Sequence, residues 1–189
     1  MTAYDYDSIV NKIDVISQDA RIVGRIQEVR YDPHDYTITG LAVRCEKEIS
    51  SIIDAGNSKS RILIKPDNGF ELYDVLLLSD TLENAKAYIQ PDIDTMSAVR
   101  GFIGKDVITS EHLKLGVIDA VYLDLDGWFI DSFLIKVDKD AHTPLGLKKL
   151  LKAKRIRGVK ADHISVMSEN ILLGITMEDV RGIMLPDED

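Results

Sequence analysis

The sequence predicts a mainly β protein built as two tandem small β-barrels, each with about five or six strands and short helical segments. Three observations carry this. The chain contains an internal repeat, its repeated segments alternate apolar and polar residues, and turn residues punctuate them at short intervals. Residues 13–45 match residues 105–137 at an offset of 92, without a gap across 33 positions. Asp14, Val15, Ile16, Gly24, Ile26, Val29, Asp32 and Ile38 meet Asp106, Val107, Ile108, Gly116, Ile118, Val121, Asp124 and Ile130. Ser17/Thr109, Asp19/Glu111, Val43/Ile135 and Arg44/Lys136 are conservative pairs. A repeat of this length exceeds the roughly 20–50 residues of a solenoid unit. It implies two domains of one fold, expected over residues 1–94 and 95–189.

Each repeat opens on a short apolar strand, Asp14–Ser17 in the first. A longer strand follows through Ile22–Tyr31, or Leu113–Leu123 in the second copy. Gly24 and Gly116 interrupt these strands at one shared place, which predicts bends that curl the sheet. Asp32-Pro33-His34-Asp35 and Asp124-Leu125-Asp126-Gly127 are turn compositions. The returning strands are Tyr36–Cys45 and Trp128–Val137, so each repeat contains a long hairpin. Further strands are expected at Arg61–Ile64, Phe70–Tyr73 and Val75–Leu78, and at Arg155–Val159, Ile164–Met167 and Asn170–Leu173. Leu82–Ala87 and Met177–Arg181 read as helical turns, and Gln90–Thr95 reads as the linker. Between hairpin and later strands the copies diverge. The first has a polar loop over Glu46–Ser60. The second has Thr143-Pro144, read as N-cap and first helical position of a short helix running to Lys154.

Composition narrows the function classes. A net charge of −9 argues against a general nucleic-acid binder. Residues 1–95 hold 17 acids against 10 bases, and residues 96–189 hold 15 against 13. Cys45 is the only cysteine, so there is neither a disulfide framework nor a thiolate cluster. No stretch reaches the roughly 18–20 apolar residues of a membrane span. The acidic start is unlike a signal peptide, and the cytosol is the expected compartment.

Candidate chemistry is sparse. His34, His112, His142 and His163 lack the i, i+4 spacing of a helical metal pair and read as loop residues. Asp124–Gly127 lacks the acidic ladder and distal Glu of a calcium loop, and reads as a hairpin turn. Cys45 closes an apolar strand and reads as a structural thiol. No nucleophile elbow, P-loop or dinucleotide fingerprint is present. No catalytic residue, metal or cofactor is therefore expected. The notable polar feature is a basic stretch of Lys148, Lys149, Lys152, Lys154, Arg155, Arg157 and Lys160, with no acid between them. It suits an acidic partner, RNA or anionic lipid; the alternative is a solvated face neutralised by the acids of the first copy.

The motifs resemble the PRC-barrel domain family. Gly104-Lys105-Asp106-Val107-Ile108-Thr109-Ser110, followed by Leu115-Gly116-Val117-Ile118-Asp119-Ala120-Val121-Tyr122-Leu123-Asp124, is similar to that family's opening and its Leu-Gly-x-Ile-x-x-Val-x-x-Asp strand. Val23 to Asp32 carries the same pattern in the first copy. The resemblance covers nearly the whole chain and rests on packing residues and turns, Gly24, Asp32, Gly116 and Asp124 among them. It implies the barrel fold. It also implies a stand-alone archaeal type, whose members resemble cell-division adaptors that link the SepF anchor of the FtsZ ring to other partners. On that resemblance the partners are proteins, a SepF-type anchor or other PRC-barrel proteins. The state is a homodimer or an internal pseudo-dimer, recruited to the division site through a partner. The alternative is a maturation factor of the RimM kind, binding RNA or the ribosome through residues 148–160.

Overall fold

The computed structural model describes residues 3–46, 48–49, 61–65, 70–87, 89–91, 97–147 and 154–186. The chain is mainly β and forms two curled eight-stranded sheets. Strands β1 (Ala3–Asp5), β2 (Asp14–Ile16), β3 (Ile22–Tyr31), β4 (Ile38–Cys45), β5 (Arg61–Ile64), β6 (Phe70–Leu72), β7 (Val75–Leu78), β8 (Ile89–Pro91) and β9 (Ser97–Ala98) lie in the first half. Helices α1 (Tyr6–Ile9) and α2 (Leu82–Ala85) accompany them. The second half holds β10 (Asp106–Ile108), β11 (Lys114–Asp124), β12 (Phe129–Val137), β13 (Arg155–Lys160), β14 (Ile164–Met167), β15 (Ile171–Leu173) and β16 (Leu185–Pro186). Helix α3 (Met177–Ile183) lies between β15 and β16.

One sheet runs β6-β7-β2-β3-β4-β5-β8, with β9 paired to β3. The other runs β14-β15-β10-β11-β12-β13-β16, with β1 paired to β11. The repeat is thus reproduced strand for strand. Both sheets are antiparallel except where β2 meets β7 and β10 meets β15.

The leading strands are exchanged. Ala3 lies opposite Asp124 and Asp5 opposite Tyr122 on β11, while Ser97 lies opposite Tyr31 and Ala98 opposite Arg30 on β3. Two compact units result: Tyr6–Arg100, and Met1–Asp5 joined with Gly101–Asp189. The expected division at 94/95 misses this exchange of short strands. Long strands β3 and β11 can each serve two partners on one edge, because β2 and β10 cover only their first few residues.

Gly24 and Gly116 explain the curl. Each faces a bulge, between Val15 and Ile16 or between Val107 and Ile108. A Cβ at Gly24 would lie 2.0 Å from the Arg44 carbonyl oxygen, and one at Gly116 would lie 2.2 Å from that of Lys136. Only a residue without a side chain lets the hairpin backbones approach this closely. Asp32 and Asp124 shape the hairpin turns. Asp32 Oδ1 accepts the His34 amide at 2.8 Å, and Asp124 Oδ1 accepts the Asp126 and Gly127 amides, each at 2.9 Å. Tyr36 and Trp128 close these turns in the left-handed region, at φ 61° and 56°. Ala20 and His112 share a second such position, at 60° and 62°. A turn conformation, not an imidazole, is what that position requires.

Other repeat pairs also have a local reason. Asp19 Oδ1 accepts the Leu82 amide at 3.0 Å, and Glu111 Oε2 accepts the Met177 amide at 2.9 Å. Each acid satisfies an orphan donor at the start of the helix that closes its repeat. Helix α3 adds a reciprocal cap, in which Thr176 Oγ1 accepts the Asp179 amide and Asp179 accepts that of Thr176.

Two expectations change. Ile89–Pro91 is a strand paired with β5, so only the rest of the expected linker can connect the repeats. Residues 92–95 lie outside the described residues. Residues 143–147 form hydrogen-bonded turns, with Gly146 at φ +70°, so the proline does not open a helix there. A short 3-10 turn, Lys139–Ala141 capped by Asp138, stands just before it. His142 lies in the turn that follows, as expected of a loop residue, and is buried. Of the loop expected at Glu46–Ser60, residues 47 and 50–60 lie outside the described residues.

Each unit has its own core. Val15, Ile26, Leu41, Ile62, Leu76 and Leu82 fill one, and Val107, Ile118, Phe133, Ile156, Leu173 and Val180 fill the other. Phe102 and Phe133 pack with ring centroids 5.2 Å apart. Among the described residues, no helix is long and apolar enough to cross a membrane.

Candidate functional site: the outward faces of the two sheets

Among the described residues of the basic segment, two arginines are engaged within the fold. Lys148, Lys149 and Lys152 lie outside the described residues. Lys154 is half-buried, and its carbonyl accepts the Val137 amide at 2.8 Å. Arg155 is bound to Asp119 at 2.8 Å. Arg157 stacks its guanidinium 4.2 Å from the centre of the Tyr122 ring and donates to the Tyr122 hydroxyl. Lys160 is exposed, and its backbone amide donates to His163 Nδ1 at 3.1 Å. Arg155 and Arg157 thus fasten β13 to β11, which consumes much of their capacity for a ligand.

A second basic group becomes visible only through the ladder. Arg25 lies opposite Arg44, and Arg44 opposite Arg61, so three guanidinium side chains form a row across β3, β4 and β5. Asp14 continues this row on β2 and grips Arg25 through both carboxylate oxygens, at 2.6 and 3.1 Å. The Arg25 hydrogen bond holds the Asp14 carboxyl below its ordinary range, and Asp14 in turn raises the guanidinium. A cleft of about 500 Å³ opens here, lined by Asn11, Asp14, Arg25, Arg44, Cys45 and Glu46 among others. Its two arginines and two acids cancel in charge. Burial, then the neighbouring Glu46 carboxylate, push the Cys45 thiol up to about 11, which leaves it protonated at neutral pH. In the second repeat Val117 stands where Arg25 stands, and Asp106 pairs with Lys114 at 2.9 Å instead.

Beside this polar row, both sheets turn an apolar row outward. In the unit Tyr6–Arg100 it runs Glu71, Leu77, Ile16, Ile22 across β6, β7, β2 and β3. In the other unit it runs Val166, Leu172, Ile108, Lys114 across β14, β15, β10 and β11. Ile22 is 54% exposed, Leu77 37% and Val166 53%; Ile16, Ile108 and Leu172 are half-buried. Tyr73 and Leu113 add further exposed apolar surface, at 68% and 47%. Scattered apolar side chains on a surface are ordinary. Here three apolar side chains stand side by side on each sheet.

The sequence contained a signal for it. Ile16 and Ile108 are identical between the copies, and in both units they stand half-buried in the row. Chemically, each face can bury apolar surface against a partner while the adjoining Asp14–Arg25 or Asp106–Lys114 pair forms a polar rim. Gly24, Asp32, Gly116 and Asp124 shape the sheets that carry these faces and take no part in them. Compared with known proteins, the chain matches no family model. It matches no curated protein either.

Proposed function

We propose that this chain is a non-catalytic adaptor with two docking faces, one on each curled sheet. The observation that carries the reading is the apolar row repeated at Leu77-Ile16-Ile22 and Val166-Leu172-Ile108. Two faces on one chain allow two protein partners to be bridged, or one partner to be held twice. The resemblance to the PRC-barrel family supports a barrel-type scaffold for each unit. It also supports a cytoplasmic role in which the chain is recruited to the division site and links a SepF-type anchor of the FtsZ ring to other proteins.

The test is affinity capture from native extract, with wild-type chain and the variants Ile22→Glu and Val166→Glu as bait. Specific protein partners lost from one or both variants support the reading. Capture of ribosomal particles or RNA instead, released by salt and insensitive to these variants, would sink it in favour of an RNA-binding factor.

A further inference from the structure

The two apolar rows are not equivalent in charge. From edge strand to long strand, one reads Glu71, Leu77, Ile16, Ile22 and the other Val166, Leu172, Ile108, Lys114. Each has one charged end. The acid of the first sits on the edge strand β6, whereas the base of the second sits on the long strand β11.

We propose that the two faces dock on each other between two copies of this chain, with their rows running in opposite directions. Glu71 then meets Lys114, and Leu77, Ile16 and Ile22 meet Ile108, Leu172 and Val166. This deepens the adaptor reading by naming one partner of its faces, and it rests on that reading. Two sheets packed face to face stand about 10 Å apart, close enough for such side chains to interdigitate.

The order of residues discriminates among the alternatives. The first face on a copy of itself, rows opposed, sets Glu71 against Ile22. The second face on itself sets Val166 against Lys114. The two different faces with rows in the same direction set Glu71 against Val166 and Ile22 against Lys114. Each of these covers a charge with an apolar side chain, which is costly unless the charge finds a partner. Only the opposed pairing of unlike faces matches apolar with apolar and acid with base.

Existing contacts do not stand in the way. Lys114 is held by Asp106 at 2.9 Å, and Glu71 accepts the Tyr73 hydroxyl at 3.1 Å. Both are exposed surface contacts, worth little and readily rearranged. Because the matched faces differ, the contact is heterologous. Two chains can close with two such contacts, or successive chains can add head to tail.

The experiment is analytical ultracentrifugation of the full chain over a wide concentration range. Association that grows with concentration is expected. Glu71→Lys and Lys114→Glu should each weaken it about fivefold or more, and the double variant should recover most of that loss. Ile22→Glu and Val166→Glu should abolish it, with thermal unfolding unchanged because both positions are exposed. A monomer at every concentration overturns the proposal, as does a double charge reversal that associates no better than the singles. Failure here with partner capture intact removes only the self-docking. Intact self-docking with no captured protein removes the adaptor reading.

Discussion

Tyr6 donates its hydroxyl to Glu28 Oε1 at 2.9 Å, and the Val29 amide donates to the same oxygen at 2.9 Å. Both side chains are buried, deep in the core of their unit. Ala120 occupies the Glu28 position in the second repeat, at the equivalent strand register. One scaffold therefore tolerates a buried carboxylate at this strand position in one copy and a buried alanine in the other.

Removing half of that pair is expected to be worse than removing all of it. Tyr6→Phe leaves the carboxylate one donor short, a loss of about 1–3 kcal/mol. Tyr6→Phe with Glu28→Ala removes both partners and should cost less than the sum of the two single changes. Denaturant unfolding of the single and double variants checks the coupling; strict additivity would refute it.

Stability should fall on the alkaline side. Burial first, then the Glu28 charge and hydrogen bond, raise the Tyr6 phenol well above its ordinary value. Burial also raises Tyr31, and Cys45 stands at about 11. In the unfolded chain these groups ionise at about 8.5 for Cys and about 10 for Tyr. The protonated folded state is favoured below those values, and the advantage is lost as pH rises through them. Unfolding free energy measured from pH 7 to 11 should decline from about pH 9, and less steeply in Tyr6→Phe. A flat profile would contradict the assignment.

The glycines give a prediction of opposite signs. Gly24→Ala and Gly116→Ala force a methyl group against a backbone oxygen and should cost about 1–3 kcal/mol or more. A Cβ at Gly182 in α3 meets nothing within 4 Å. Gly182→Ala should therefore stabilise by roughly 0.5–1 kcal/mol through helix propensity. Thermal melts of the three variants would show the contrast.

The exchanged strand can be tested by its absence. Removing residues 1–5 strips β1 from the edge of β11, leaving Tyr122–Asp124 without that partner. Amide exchange there should accelerate about tenfold or more, the equivalent of ~1.4 kcal/mol of local stability. Exchange at Arg30 and Tyr31, which face β9, should be unchanged. Equal effects at both places would argue against the assignment of β1 to β11.

Much of the fold could be read from local pattern. The hairpins, the glycine bends and the later strands follow from alternation and turn chemistry, and Ile164–Met167 was expected at its observed bounds. The exchanged strands could not be read this way. They are two or three residues long, too short to alternate. Upstream of residue 13 the repeat also shifts by one position, so that Asn11 corresponds to Gly104, both left-handed, at φ 61° and 84°. Gln90 and Pro91 passed for linker because a three-residue strand ending in proline carries no strand signature, although an edge strand accepts a proline.

The candidate site was legible only in part, and for a related reason. The amino-acid sequence by itself determined that one scaffold occurs twice, and which residues bend and cap it. Those are local requirements of backbone geometry. It also drew attention to Lys148–Lys160, where charges are adjacent in the chain. Tertiary structure alone decided that Arg155 and Arg157 are spent on Asp119 and Tyr122, and that Ile16, Ile22, Glu71 and Leu77 form one row. Strand register joins residues far apart in sequence, so a face built across four strands has no contiguous trace in the chain that encodes it.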